Sequence, residues 1–214
     1  MTTIEQREVS IVTADAALTG EVWLPPGAPG IVLFAHGSGS SRLSPRNRYV
    51  ADELVRGGVG TLLFDLLTAA EEHRDRLDAS LRFDIGLLTE RLVGATRWLE
   101  QQEWARSLTR GYFGASTGAA AALAASVECP VNAIVSRGGR PDLAGPALRQ
   151  VTAPTLLIVG SHDPVVIDLN QQALAELACE ARLDIVPGAT HLFEEPGTLQ
   201  QVAALAKEWF QRWL

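Results

Sequence analysis

The sequence predicts an α/β fold: a mostly parallel, eight-stranded sheet with an antiparallel N-terminal edge and helices on both faces. Three observations predict it. Short apolar runs alternate with helical patterns along most of the 214 residues, as in successive strand–helix–strand units. The inner runs "GIVLFAH", "VGTLLFDL" and "APTLLIVGS" are continuously apolar, as expected of strands buried on both faces. The opening differs. "REVSIVTA" alternates and "LTGEVWLP" follows after a short turn, which suggests an antiparallel hairpin.

The elements follow in order. "PPGAPG" punctuates the end of the hairpin, and "GIVLFAH" is the third strand. Ser44 and Pro45 suit an N-cap and first helical position; the helix they start carries Tyr49, Val50, Leu54 and Val55 and stops at Gly57-Gly58. "VGTLLFDL" is a strand. The charged stretch "TAAEEHRDRLDAS" leads into the next helix; within it "EEHRDR" reads as a solvated loop, although residues 66–82 could overhang the rim as a partial lid. A helix is expected from about Phe83 to Trp104, then the strand "TRGYFG" and the helix "STGAAAALAASV". "VNAIVSRG" is a strand, followed by a Pro/Gly-rich loop. "APTLLIVGS" is a strand, residues from about Ile167 to Cys179 a helix, and "RLDIVPG" the last strand. The final helix shows a capping-box pattern, Thr198 with Gln201, and an apolar face that includes Leu199, Val202, Ala206 and Trp209. With no repeat and no linker, residues 1–214 are expected to form a single domain.

Composition narrows the functional classes. The chain is 47% hydrophobic, enough for a sizeable core, and its net charge of −7 argues against nucleic-acid or anionic-membrane partners. No apolar run is long enough to span a bilayer, and "MTTIEQREVS" has neither the basic start nor the apolar stretch of a leader, so a cytoplasmic location is expected. Cys129 and Cys179 form no CxxC pair and read as idle thiols. The histidines show no HxH or HExxH spacing, so no metal is expected. The glycine-rich stretches match neither a P-loop nor GxGxxG, and neither a cofactor nor phosphate binding is signalled. Oligomeric state is left open, a homodimer included.

In a parallel sheet, ligands bind outside the carboxyl ends of the strands. The polar residues there are His36-Gly37-Ser38-Gly39-Ser40-Ser41, Ser116, Ser161-His162-Asp163 and His191. Ser116, Asp163 and His191 have the types and the chain order of a nucleophile, an acid and a base. A serine hydroxyl attacks a carbonyl only if a histidine takes its proton. A carboxylate behind that histidine fixes the tautomer and stabilises the imidazolium. Asp142 and Asp168 compete with Asp163 for the acid role; Asp163 is preferred. Gly114 and Gly118 around Ser116 fit a sharp strand-to-helix turn that lifts Oγ clear of the sheet. The N–H groups of Thr117, at the helix start, and of Ser38 are the expected oxyanion donors. His36 is expected to pin the oxyanion loop. Arg137 and Arg140, after the sixth strand, are candidates for binding an anionic group of the substrate.

"GASTG", "GSHDPVV", "GATHLF" and "HGSGSS" together resemble the α/β-hydrolase superfamily, and the compact chain resembles its dienelactone hydrolase-like branch. The resemblance covers nearly the whole chain. It implies Ser116 as nucleophile, Asp163 as acid, His191 as base, and Ser38 and Thr117 N–H as the oxyanion hole. Dienelactone hydrolases proper use a cysteine nucleophile. The serine here favours a serine esterase acting on a small ester, thioester or lactone. Residues 137–153 are too few for a helical cap, so an open site is expected. Acyl transfer or perhydrolysis by the same residues, and a non-catalytic binding protein on the same scaffold, are the alternatives.

Overall fold

The computed structural model describes residues 3–214. Eight strands form one sheet: β1 (Glu5–Val12), β2 (Ala17–Leu24), β3 (Gly30–Ala35), β4 (Gly60–Phe64), β5 (Thr109–Ala115), β6 (Ala133–Arg137), β7 (Thr155–Gly160) and β8 (Ala181–Val186). Their spatial order is β1-β2-β4-β3-β5-β6-β7-β8. β2 runs antiparallel to both β1 and β4, and every other pairing is parallel. The parallel strands therefore all end at one rim, with β3, β5, β6 and β7 side by side.

Six helices connect them: α1 (Pro45–Arg56), α2 (Ala69–Asp78), α3 (Ile85–Glu100), α4 (Thr117–Glu128), α5 (Pro164–Glu176) and α6 (Thr198–Trp213). The two-residue period of a strand sends neighbours to opposite faces. In β3, Ile31, Leu33 and Ala35 join the core cluster that also holds residues of α3 and α4. Val32 and Phe34 join the other cluster, with residues of α1 and α6. Phe34 stacks on Phe113 of β5 at 4.8 Å between ring centres. Both faces of the inner sheet are thus dry, which accounts for the unbroken apolar runs. Among the described residues there is no separate cap domain; β6 and β7 are joined by a kinked 3-10 segment, Pro141–Gln150. No helix among the described residues is long and apolar enough to cross a membrane.

Several boundaries differ from the sequence expectation. The stretch expected to be a loop lies within α2. Its signal is a capping box: Thr68 Oγ1 accepts from Glu71 N–H at 3.3 Å, and Glu71 returns a bond from Thr68 N–H at 2.8 Å. Glu72–Arg76 and Arg74–Asp78 pairs then support the helix at i,i+4 spacing. α3 starts at Ile85 because Asp84 caps it, accepting from Leu87 N–H at 3.0 Å, and it ends at Glu100 before a short 3-10 turn. α5 begins at Pro164, earlier than Ile167, with proline in its first turn. Thr198 is the first residue of α6 and not its cap. Gly197, at φ 84°, takes the cap position, and the Thr198 hydroxyl donates to Glu195 O at 2.7 Å.

α2 is held over the rim by one buried carboxylate. Asp75 accepts from Leu81 N–H (2.8 Å), Arg82 N–H (2.9 Å) and Arg82 Nε (2.7 Å). Burial pushes its pKa up, but the amide bonds and the Arg82 guanidinium outweigh that and hold it below the ordinary carboxylate value. Asp75→Ala leaves two amides and a guanidinium without their acceptor. It is expected to cost about 2 kcal/mol in chemical denaturation.

Candidate active site

The site is built around a strained residue. β5 ends at Ala115 and α4 starts at Thr117, leaving one residue for the reversal. That residue, Ser116, sits at φ 51°, ψ −121°, a conformation that costs an L-residue on the order of 1–3 kcal/mol. Its neighbours must be glycine for a steric reason. A Cβ on Gly114 would lie 2.7 Å from Ala119 N, and one on Gly118 would strike Ala35 O and lie 2.6 Å from His36 O. α4 therefore lies directly against the end of β3, and no side chain fits between. The Ser116 backbone is tied into β6 by its N–H, which donates to Arg137 O at 3.3 Å; its carbonyl accepts from Ala119 and Arg140 N–H, each at 3.1 Å.

Asp163 and His191 reach the same rim from β7 and β8. Asp163 is the N-cap residue of α5, yet its carboxylate does not cap the helix. His191 Nδ1–H donates instead to Asp163 Oδ2 at 2.6 Å, and Nε2 has no hydrogen-bond partner among the described residues. The loop carrying His191 is anchored by Phe193, which adopts φ 56° and buries its ring among the core residues of one sheet face. The two competing aspartates are elsewhere. Asp142 is held by Arg140, with bonds of 2.9 and 2.8 Å. Asp168 lies inside α5.

Ser116 and His191 line one cavity of 210 Å³, together with Gly37, Ser38, Ala115 and Arg137. The cavity is open to solvent, and its walls Gly37, Ser38 and Ser40 also line a second cavity of 230 Å³. No hydrogen bond joins Ser116 Oγ to His191. Such bonds are commonly long or poorly aligned before substrate binds.

The loop after β3 supplies the opposite wall. A Cβ on Gly37 would lie 3.0 Å from Ser116 Cβ, so the glycine lets the loop touch the serine. The N–H groups of Ser38 and Thr117 donate to no acceptor among the described residues. His36 fixes the loop from below. Its Nε2 accepts from Leu66 N–H at 3.0 Å, which requires the proton on Nδ1; Nδ1–H then donates to Gly37 O at 3.0 Å. Burial lowers its pKa below 6.5, the Gly37 bond only partly offsetting this, so the ring is neutral and both bonds are made.

The two arginines part company. Arg140 is engaged by Asp142 and stays out of the cavity. Arg137, the last residue of β6, is 7% exposed and lines the cavity with no hydrogen bond or ion pair from its side chain among the described residues. Burial, with the nearby charge of Arg46, pushes its pKa down to about 10, which leaves it charged at neutral pH. Arg46 and Asn47, in the first turn of α1, also line the cavity and were not singled out in the sequence. The only sequence hint was their place in a helix start just beyond the glycine–serine loop. Cys129 and Cys179 are unpaired, and among the described residues no group of three or more His, Cys, Asp or Glu could hold a metal ion.

An eight-stranded sheet of this order, with a strained serine elbow on β5, defines the class as the α/β-hydrolase superfamily. No family model matches the chain. A dienelactone hydrolase structure from Anabaena variabilis is 57% identical, with a TM-score of 0.97 over 99% of both chains. This chain therefore belongs to the dienelactone hydrolase family. An esterase from Pyrococcus furiosus (18% identity, TM-score 0.77, 98% and 93% of the two chains) shares the fold, as does an alpha-beta serine hydrolase homologue from Coxiella burnetii (18%, 0.78, 97% of each). A Mycobacterium tuberculosis protein provisionally named a phosphoribosyl transferase is 56% identical over 209 residues, 97% of this chain and 46% of its own length. The chain thus spans about half the length of the curated relatives it matches.

Two outcomes are expected. Gly118→Ala should cost about 3 kcal/mol or more in urea unfolding, because the contact is with backbone that cannot give way. The second concerns His36. Its folded pKa lies below the ordinary 6.5, so as pH falls the unfolded chain takes up the proton first. Stability is full above that pH and declines below it, by at most about 1.4 kcal/mol per pH unit for one proton. His36→Gln, which keeps a donor and an acceptor, should remove that part of the slope in a denaturation series across pH 5–8.

Proposed function

We propose that residues 1–214 act as one hydrolase domain that cleaves a carboxylic ester, thioester or lactone of a small substrate through an acyl-enzyme. Ser116 attacks the carbonyl carbon as His191 Nε2 takes its proton. Asp163, 2.6 Å from His191 Nδ1, holds the imidazole in that tautomer and stabilises the imidazolium. The oxyanion develops beside the Ser38 and Thr117 N–H groups and the start of α4, where the helix dipole favours negative charge. His191 then protonates the leaving alcohol, and a water deprotonated by His191 releases the acid. No cofactor enters the scheme, and a cytoplasmic location accords with two unpaired thiols. The observation that carries the reading is the short His191–Asp163 bond on a ring that shares a small cavity with a serine held at φ 51°.

The transferase name belongs to mycobacterial relatives of which this chain spans 46% of the length. The same residues could pass the acyl group to an alcohol or to peroxide, which product analysis with those nucleophiles added would reveal. A non-catalytic binding protein on the same scaffold has no need of all three of Ser116, Asp163 and His191.

A fluorophosphonate probe should label the wild-type protein and leave Ser116→Ala unlabelled. On a panel of neutral esters, Ser116→Ala and His191→Ala should each lose about 10³-fold or more in kcat, and Asp163→Asn about 10⁴-fold through the wrong tautomer. Labelling of Ser116→Ala to the wild-type level would remove the reading.

A further inference from the structure

The cavity beside Ser116 contains an unexplained charge. Arg137 is buried at the end of β6 with Nε and Nη1 unpartnered, and no carboxylate lines the cavity with it. A buried guanidinium left without a partner is costly, which is why buried charges are normally paired. The Arg137 position is not a packing accident that a surface acid relieves, because the neighbouring charge is another arginine. Arg46 stands close enough to depress the ionisation of Arg137. Arg46 itself has Nε unpartnered, and its one ion pair, Nη1 to Glu194 at 3.3 Å, goes to a carboxylate 65% exposed at the surface. Such exposed pairs contribute little and exchange readily. Asn47, 2% exposed, also lines the cavity; its Nδ2–H₂ is the group able to donate to an anion, its unpartnered Oδ1 being an acceptor.

These groups surround the first turn of α1. Ser44 caps that helix and accepts from Asn47 N–H, so the positive end of a 12-residue helix opens on the same space. The donors number two guanidinium groups, an amide, the hydroxyls of Ser40 and Ser44 and a helix N-terminus, in a chain whose net charge is −7. A carboxylate offers two oxygens and one charge, and one bidentate arginine satisfies it. Two mutually repelling guanidinium groups are better matched by a tetrahedral group with three acceptor oxygens and nearly two charges.

We propose that the substrate carries a phosphomonoester group, held by Arg137, Arg46 and Asn47 at the start of α1, a few bonds from the carbonyl that Ser116 attacks. This substrate class rests on the hydrolase reading above. The phosphate is a handle and is unchanged by the reaction. The acyl C–O bond breaks, the oxygen of water ends on the acyl carbon, and its proton goes to the departing alkoxide.

The test has a binding arm that needs no turnover. Inorganic phosphate is titrated calorimetrically into the wild type and Ser116→Ala at about pH 8, where the dianion dominates, with acetate as the monoanionic control. Phosphate should bind both proteins, about tenfold or more tighter than acetate, and Arg137→Met should weaken it about tenfold or more, with Arg137→Lys recovering part of the loss. If Arg137→Met does not fold, as judged by its thermal transition, the more exposed Arg46→Met must show at least a fivefold loss on the order expected for one charge-assisted contact. In the activity arm, the acetate ester of a hydroxyalkyl phosphate should be preferred in kcat/KM about tenfold or more over the same ester without phosphate. No phosphate binding at about 10 mM, equal binding by the variants, or acetate bound as tightly as phosphate overturns the proposal. Ester hydrolysis that depends on Ser116 without phosphate binding overturns this inference alone. Phosphate binding that depends on Arg137, in a protein inert towards all esters, overturns the hydrolase reading and leaves the anion site standing.

Discussion

The architecture of the rim follows from one close approach, that of α4 against the end of β3. Backbone meets backbone there, at Gly118 against Ala35 and His36, with Gly114 doing the same against Ala119. A helix that close leaves a single residue to turn from strand to helix, and Ser116 is forced to φ 51°. The strain does not relax, because the residue is over-determined: its N–H is bonded to β6 and its carbonyl to two amides. The run of small residues through α4, nearly all buried, serves the same approach along the helix. Packing thus decides where the hydroxyl points before any chemistry is considered.

The same contact orders the neighbouring loop. The carbonyl of His36 is part of the surface that Gly118 meets, while the His36 ring ties the loop after β3 to the start of the segment after β4. Gly37 then brings the loop against Ser116. A neutral, buried imidazole is thus a structural joint between the two strand ends on one side of the site. On the other side, β7 and β8 deliver Asp163 and His191, whose mutual bond fixes the ring. The sheet supplies the common rim and short loops supply the aim.

Much of this was legible in the sequence because a parallel sheet puts all its carboxyl ends together. Once the apolar runs are read as strands, the residues just after each run are placed near one rim, and Ser116, Asp163 and His191 fall there, although the aim of His191, five residues past β8, depends on its loop. The role of His36 in holding the loop was readable for the same reason. α2 was not read, since its only buried residue is Asp75 and it carries no apolar stripe; the Thr68–Glu71 capping box was its one visible mark. Thr198 was misassigned as a cap because the αL glycine before it and the backbone carbonyl that takes its hydroxyl are invisible as pattern. Arg137 and Arg140 looked alike in sequence. They separated in space because Asp142, two residues on, claims Arg140, while Arg137 turns inward at the strand end. Arg46 and Asn47 meet Arg137 only because the start of α1 and the end of β6 line one cavity, for which no local pattern exists.

The central claim is that the strained serine carries the acyl group between two half-reactions. The most direct measurement is intact-mass analysis of the protein quenched within the first turnovers of an activated acetate ester, followed by peptide mapping. The account predicts one acetyl group per chain, located on Ser116. An acetyl group mapped to any other residue, or ester turnover with no covalent species at all, would contradict it.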